Sequence, residues 1–420
     1  MRKKDRATIK KPNGVIYFIT YILFYPTLKV LFRLKVDRSD YRPPQRPFVV
    51  LSNHQSFMDF LIVMLSIYPH RLNAVAALKF FFYRPLHILL PIMGCIPKSL
   101  FDPDVRSIVG VMSVVKRGCN LLLFPEGRCS TDGTYAGMHK ATGKLLKKLA
   151  VPVVSCHVEG AYVCMPFWRK GFRPGVARVT IANLFTAEEM KTLSVDEINQ
   201  RIDRRLSGAD TKPPKRPFRV AAPWRLCEGL ENILYYCPNC QGLYTLETKK
   251  SSLRCTACGT VAKMKRDARI VTKQGPAFPE TVQLWFKLQV ERELGFMQGE
   301  MEPLVIAVIV RMSLSPGNGM EPCGEGVLRL DSSGWGYEGD LKGEKVALFF
   351  PIDTVPAIPF DPYYNIQIYA GGDMYMFVPK ENLKACVRYA IIGECAYRRY
   401  ATNMQMTQGN CFPEVEAFYD

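Results

Sequence analysis

The sequence predicts an α/β domain with a largely parallel sheet, then a small four-cysteine module, then a β-rich α+β domain. Three observations predict it. Over residues 40–220, short apolar runs alternate with longer helix-like ones, the pattern of strands joined by crossover helices. Two CxxC pairs, Cys237/Cys240 and Cys255/Cys258, follow with fourteen residues between them. From about residue 275, β-rich runs separated by Gly and Asp turns lead into a final amphipathic stretch. A chain of 420 residues exceeds what one core usually fills, so several domains are expected. With 48% hydrophobic and 22% charged residues it is not a disordered or fibrous chain. A mean hydropathy of -0.03 excludes a polytopic membrane protein.

The formal charge of +18 is unevenly spread, with +21 in residues 1–220 and -3 beyond. Such an excess predicts an anionic partner for the first part: nucleic acid, an anionic membrane surface or a phosphorylated substrate. The change falls at Lys212-Pro213-Pro214-Lys215-Arg216-Pro217, a stiff, non-helical stretch. The expected organisation is a basic membrane-anchoring segment over 1–40, an α/β domain over 41–210 and a linker over 211–235. A four-cysteine module over 236–268 and a β-rich domain over 275–405 complete it.

The chain opens with Arg2, Lys3, Lys4, Arg6, Lys10 and Lys11, followed by an apolar run from Val15 to Leu28. No small-residue cleavage site follows, which argues against a signal peptide. The run is shorter than the ~20 residues of a spanning helix. It carries Pro26 and meets Lys29, Arg33 and Lys35. It reads as a helix or bent helix pair in the membrane interface, with Tyr17, Phe18, Tyr21, Phe24 and Tyr25 as an interfacial aromatic set. The competing reading is a buried core helix. Next come a strand at Phe48–Ser52, a helix at Phe57–Ile67 ended by Pro69, and a weaker strand at Asn73–Leu78. A helix at Asp104–Lys116 follows Pro103, and a strand at Asn120–Phe124 is stopped by Pro125. Thr142–Leu149 belongs to a basic helix, and Val151–Val158 and Ala177–Ala182 are strands.

Two strand ends carry chemistry. After the first strand comes Asn53-His54-Gln55-Ser56-Phe57-Met58-Asp59. With His54 just before the helix and Asp59 just inside it, the carboxylate can hold one imidazole nitrogen and leave the other as a general base. Ser56 is the candidate cap of that helix. After the strand at Asn120–Phe124 comes Pro125-Glu126-Gly127-Arg128. Gly127 permits a tight turn there, and the planar fork of Arg128 suits a phosphate. Taken singly, each piece is also an ordinary polar pair or surface turn.

Together, Asn53-His54 to Asp59, Phe124 to Arg128 and Val151-Pro152-Val153-Val154 resemble the glycerolipid acyltransferase family, typified by the 1-acylglycerol-3-phosphate acyltransferases. Lys79 before an aromatic run is similar to the family's pattern, and the resemblance covers roughly residues 15–205. One departure is Gly94-Cys95-Ile96-Pro97-Lys98, where the family usually places an Arg. The resemblance implies acyl transfer from a thioester donor, acyl-CoA or acyl carrier protein, to a lysophosphatidic acid-like acceptor in phospholipid biosynthesis. His54 and Asp59 are then catalytic. Arg128 and Gly127, with Glu126 and Lys98, hold the acceptor phosphate, and no catalytic metal is needed. Other acceptors, glycerol 3-phosphate or another lysophospholipid, stay open, as does a non-enzymatic membrane adaptor. The expected location is the cytoplasmic face of a membrane, monotopic or peripheral.

Cys237, Cys240, Cys255 and Cys258 have the spacing of a zinc ribbon with one structural zinc ion. Ten further cysteines without pattern suggest a reducing compartment. The ribbon lacks a dense aromatic-basic interleave, so no nucleic-acid partner is expected. In the last domain, strands are expected at Leu304–Met312, Gly326–Asp331, Lys345–Phe350, Asn365–Tyr369 and Met374–Val378. Helices are expected at Thr281–Leu294, containing Trp285, and at Glu381–Tyr400. Strands followed by one helix look like a pleckstrin-homology or related barrel. A role in binding a protein partner is equally open.

Overall fold

The computed structural model describes residues 9–100, 104–210, 217–221, 225–297, 302–313 and 317–408. The basic residues Arg2 to Arg6, Pro103 and the linker core Lys212–Arg216 lie outside the described residues. The chain divides into two compact units near residue 221, with residues 167–172 grouped with the second.

In the first unit, helix α1 (Gly14–Leu31) leads into β1 (Lys35–Asp40), β2 (Val49–Ser52), α2 (Asp59–Ser66) and β3 (Leu72–Ala77). Then come α3 (Leu86–Ile92), β4 (Ile96–Lys98), α4 (Val105–Lys116), β5 (Asn120–Leu123), α5 (Ala141–Leu149) and β6 (Val153–Glu159). The unit closes with α6 (Ala161–Cys164), β7 (Arg178–Phe185), α7 (Ala187–Thr192) and α8 (Val195–Leu206). The sheet order is β1-β7-β6-β2-β5-β3-β4. Every pairing is parallel except β6 with β7.

The central strands are buried on both faces, which is why they read as continuous apolar runs rather than alternating ones. Period-two alternation sends Val50, Leu122 and Val154 to a core with α1 and α2, including Tyr17, Leu28 and Ile62. Val49, Leu51, Leu121 and Leu123 face Val111, Val114, Leu146, Ile198 and Ile202 of α4, α5 and α8 on the other side. Helix starts follow side-chain chemistry: Asp104 accepts from the Ser107 N–H at 3.0 Å, and Ser194 with Glu197 forms a reciprocal capping box on α8. Parallel strands put all their carboxyl ends on one side, so the loops after β2, β3, β4 and β5 share an edge of the unit.

Residues 225–235, assigned by composition to the linker, instead pack into the second unit, where Leu230, Ile233, Leu234 and Tyr235 are fully buried. Four short antiparallel strands follow: β8 (Leu246–Lys249), β9 (Ser252–Cys255), β10 (Val261–Met264) and β11 (Ile270–Gln274), in the order β11-β10-β9-β8. Helix α9 (Val282–Phe296) comes next. Its buried Gln289 accepts the N–H groups of Tyr235 and Tyr236 at 2.8 and 3.2 Å. Its buried Glu293 accepts from the Tyr235 hydroxyl at 2.9 Å and from Arg388 Nε at 3.1 Å. These bonds tie the segment before Cys237 to α9 and to α10 (Cys386–Gln408), which carries Arg388.

Between the helices lie β12 (Leu304–Met312), β13 (Glu321–Asp331), β14 (Gly334–Leu341), β15 (Glu344–Pro351), β16 (Phe360–Asp361), β17 (Asn365–Ala370) and β18 (Asp373–Pro379). They form one antiparallel sheet, ordered β15-β14-β13-β12-β18-β17-β16. Strand β14 was not expected, because Gly334, Gly336 and Gly339 dilute its apolar signal. Glycine is a steric requirement in the neighbouring strand: a Cβ on Gly324 would stand 1.8 Å from the carbonyl oxygen of Asp340. Gly324→Ala is therefore expected to destabilise the protein by about 1–3 kcal/mol. Gly295→Ala, in α9 with nothing within 4 Å of the new Cβ, should stabilise it by roughly 0.5–1 kcal/mol. Denaturant unfolding of both variants beside wild type checks the pair.

Candidate active site and metal site

The edge formed by the carboxyl ends of the parallel strands gathers the chemistry. His54 stands in the loop after β2, and Asp59 is the first residue of α2. Asp59 is fully buried, and its Oδ2 lies 3.3 Å from His54 Nδ1. The same Oδ2 accepts the Ser56 N–H at 2.7 Å, which fixes the carboxylate against the loop it serves. Ser56 is thus not the helix cap. Met58 occupies that position, and the Ser56 hydroxyl donates to the Met165 carbonyl at 2.9 Å. Burial raises the Asp59 pKa, and the hydrogen bond with His54 opposes the rise. With Nδ1–H turned to Asp59, Nε2 is left as the basic nitrogen.

Two further groups hold the imidazole in place. The Phe124 ring stacks on it with centroids 4.3 Å apart. Glu126, from the Pro125-Glu126-Gly127-Arg128 turn, accepts the backbone N–H of His54 at 2.6 Å through Oε1 and that of Ala136 at 3.0 Å through Oε2. One carboxylate thereby joins the β2 loop, the β5 turn and the loop before α5. Ser130 N–H donates to the His54 carbonyl at 2.8 Å, closing the same junction. Asn53 pairs with Val158 of β6 in both directions, at 2.7 and 2.8 Å.

Gly127 has φ +73°, the conformation that favours glycine, and it places half-buried Arg128 directly after the turn. Lys98 ends β4, with β3 lying between β4 and β5, and it acts electrostatically on His139. Lys79, in the turn after β3, acts on Cys129, whose other charged neighbours are Asp59 and Glu126. The structure thus joins His54 to Asp59 through its side chain and to Glu126 through its backbone, keeps Gly127 and Arg128 on the Glu126 turn, and puts Lys98 further along the same edge. Sequence reasoning missed the holding roles of Phe124 and Glu126 and the part of Ser130 and Ala136. The chain separation between these loops gives no local signal for them.

The four cysteines of the second unit form the other site. Their sulfur atoms all lie within 4.8 Å of one another. Cys237 and Cys258 are 3.9 Å apart and Cys240 and Cys255 3.6 Å apart. A tetrahedral ion with metal–sulfur bonds of about 2.3 Å needs sulfur–sulfur edges of about 3.8 Å, so the set fits a structural metal ion. Each knuckle closes alike, with Gln241 N–H donating to Cys237 O and Gly259 N–H to Cys255 O.

An α/β sheet that carries an oriented histidine–carboxylate pair at the carboxyl ends of its parallel strands is the setting in which the chain can be compared with known proteins. Residues 33–159 match the family model described as Acyltransferase. A chloroplastic 1-acyl-sn-glycerol-3-phosphate acyltransferase of Brassica napus is 31% identical over 138 residues, covering 32% of this chain and 40% of that protein. A chloroplastic counterpart from Arabidopsis thaliana is 26% identical over 169 residues, covering 39% of this chain and 47% of that protein. The chain thus spans less than half the length of either relative. The crystal structure of the 1-acyl-sn-glycerophosphate acyltransferase PlsC from Thermotoga maritima matches with a TM-score of 0.41 and 20% identity, over 48% of this chain and 82% of that one. Residues 33–159 are thus similar to the acyltransferase domain of these proteins.

Burial raises the Glu126 carboxyl to about 7, against hydrogen bonds from Ala136 and His54 that lower it. A carboxyl whose folded pKa lies above its unfolded value stabilises fully below the unfolded pKa, and that stability is lost as pH rises through the folded one. From pH ~4.5 to ~7 the wild type should therefore lose roughly 3 kcal/mol relative to Glu126→Gln, which cannot ionise. Parallel thermal melts across this range check the sign: the gap between the two must shift in favour of the variant as pH rises.

Proposed function

We propose that the chain is a membrane-surface acyltransferase that moves a fatty acyl chain from a thioester, acyl-CoA or acyl carrier protein, to the hydroxyl of a lysophosphatidic acid-like acceptor. The observation that carries this reading is the His54–Asp59 pair with Nε2 left basic at the strand edge. Nε2 takes the proton of the acceptor hydroxyl as its oxygen attacks the thioester carbonyl. The C–S bond then breaks and the departing thiolate takes the proton from the imidazolium, which restores His54. The acceptor is itself the nucleophile, so the chemistry uses no covalent enzyme intermediate. Arg128 anchors the acceptor phosphate through its planar fork, with Lys98 as a weaker point charge and Gly127 shaping the turn. Glu126 acts by fixing the His54 backbone.

Membrane contact is supported by α1, which is long and apolar enough to cross a membrane by length and composition. Its outward residues Val15, Phe18, Ile19, Ile22 and Leu23 are all exposed. Its inward face is docked: the Tyr17 hydroxyl donates to Met64 and His70 carbonyls, and Tyr21 stacks on Tyr68 at 4.0 Å. A helix held along one side by its own domain suits the plane of the interface better than a crossing. We place it on the cytoplasmic face. The four cysteines hold zinc, the usual ion of an all-thiolate tetrahedron. Seven antiparallel strands followed by α10 suit a pleckstrin-homology-like barrel.

Purified protein given labelled acyl-CoA and lysophosphatidic acid in vesicles should form phosphatidic acid. His54→Ala should lower kcat by about 10²–10⁴-fold with the fold retained. Asp59→Asn should lower it through a misoriented imidazole. Equal activity in His54→Ala would refute the mechanism. Wild-type protein should contain close to one zinc per chain by elemental analysis. Cys237→Ser with Cys240→Ser should remove the metal and unfold the four-stranded sheet.

A further inference from the structure

The second unit is acidic as a whole, yet residues 246–274, the four-stranded sheet and its turns, hold eight Lys/Arg and two Asp/Glu. All eight basic side chains are exposed: Lys249, Lys250, Arg254, Lys263, Lys265, Arg266, Arg269 and Lys273. The strand pairing explains their placement. Lys249 stands opposite Ser252, and Ser252 opposite Lys263. By alternation, Arg254 lies on that same solvent face, while Leu246, Leu253, Ala262, Met264 and Ile270 turn to the buried face. The β8–β9 and β10–β11 turns fall at the same end of the sheet, because Met264 N–H donates to Ser251 O at 3.0 Å. Lys250 and the pair Lys265-Arg266 therefore sit at neighbouring tips. The cysteines of the β9–β10 turn lie at the opposite end.

These tips are held rather than loose. Lys250 O accepts from Cys227 N–H at 3.0 Å, and Lys265 N–H donates to Arg269 O at 2.7 Å. The nearby carboxylates do not cancel the field. Asp267 is engaged by Arg269 at 3.1 Å, and Glu247 stands opposite Arg254, away from the tips.

We propose that this basic end of the metal-held sheet is a second membrane contact, an electrostatic foot on anionic lipid headgroups. The choice of a bilayer over nucleic acid rests on composition and on the membrane association proposed above. No Phe, Tyr, Trp or His occurs between residues 246 and 274, so the surface offers no ring on which a base could stack. A headgroup layer asks only for positive charge at fixed positions.

The test is partition of the full chain, metal loaded, between buffer and sedimenting vesicles of phosphatidylcholine alone or with one-third phosphatidylglycerol. The neutral vesicles read the apolar helix, the anionic preference that the variants lose relative to wild type reads the foot, and neither requires catalysis. Wild type should favour the anionic vesicles. The variant Lys250→Gln/Lys265→Gln/Arg266→Gln should lose about 100-fold of that preference, about fivefold per charge, with zinc content and melting temperature unchanged. A second variant on the strands, Lys249→Gln/Lys263→Gln, should lose about 20-fold, and added salt should reproduce both losses. An anionic preference unchanged in both variants overturns the proposal. So does tighter binding of single-stranded RNA than of anionic vesicles that the same substitutions abolish.

Discussion

The first unit depends on where one buried carboxylate points. Glu126 accepts an N–H from the loop after β2 and another from the loop before α5, while its own turn belongs to β5. Three segments distant in sequence are thus registered by two hydrogen bonds to a single side chain. An apolar residue of the same size would leave two buried amides without partners, a cost of roughly 1–3 kcal/mol each. The raised pKa of this group follows from the burial that makes it useful. Asp59 repeats the logic at smaller scale, holding the imidazole and the Ser56 amide through one oxygen.

Much of this was legible in sequence because the informative features are local. Pro125 stops a strand, Gly127 permits φ +73°, and the interval from His54 to Asp59 fits a residue before a helix and one inside it. Fully buried parallel strands such as Val49–Ser52 announce themselves as apolar runs. The two CxxC turns are local by construction. What escaped was of another kind. Strand β1 reads Lys-Val-Asp-Arg-Ser-Asp and is largely exposed, so it has no apolar pattern to find. Strand β14 is interrupted by glycine. Helix α8 was missed although Ser194 and Glu197 spell a capping box, a signal present but unused. Residues 225–235 follow a proline-rich stretch and take their order from contacts with α9, some fifty residues on.

Charge gives a related lesson about averaging. Divided at residue 220, the chain has a basic part and a faintly acidic one. That division hides the sheet at 246–274, where the basic excess is carried by residues that strand alternation and two turns leave exposed to solvent. The surface acts at the scale of a Debye length, about 8 Å in physiological salt, so the relevant sum is taken over neighbours in space.

The bonds from Gln289 and Glu293 carry a consequence for how the second unit could have been assembled. They run from a helix beyond the four-cysteine module back to the segment that introduces its first knuckle, and onward to Arg388. A four-cysteine module excised at residue 275 would expose Tyr235 and lose both side chains that receive it. The remainder would keep a glutamate stripped of its hydroxyl donor. The four-cysteine module and the seven-stranded sheet are therefore not separate modules that recombination could shuffle singly. They pack as one piece, whose boundary lies before residue 225 rather than between the four cysteines and the strands that follow them.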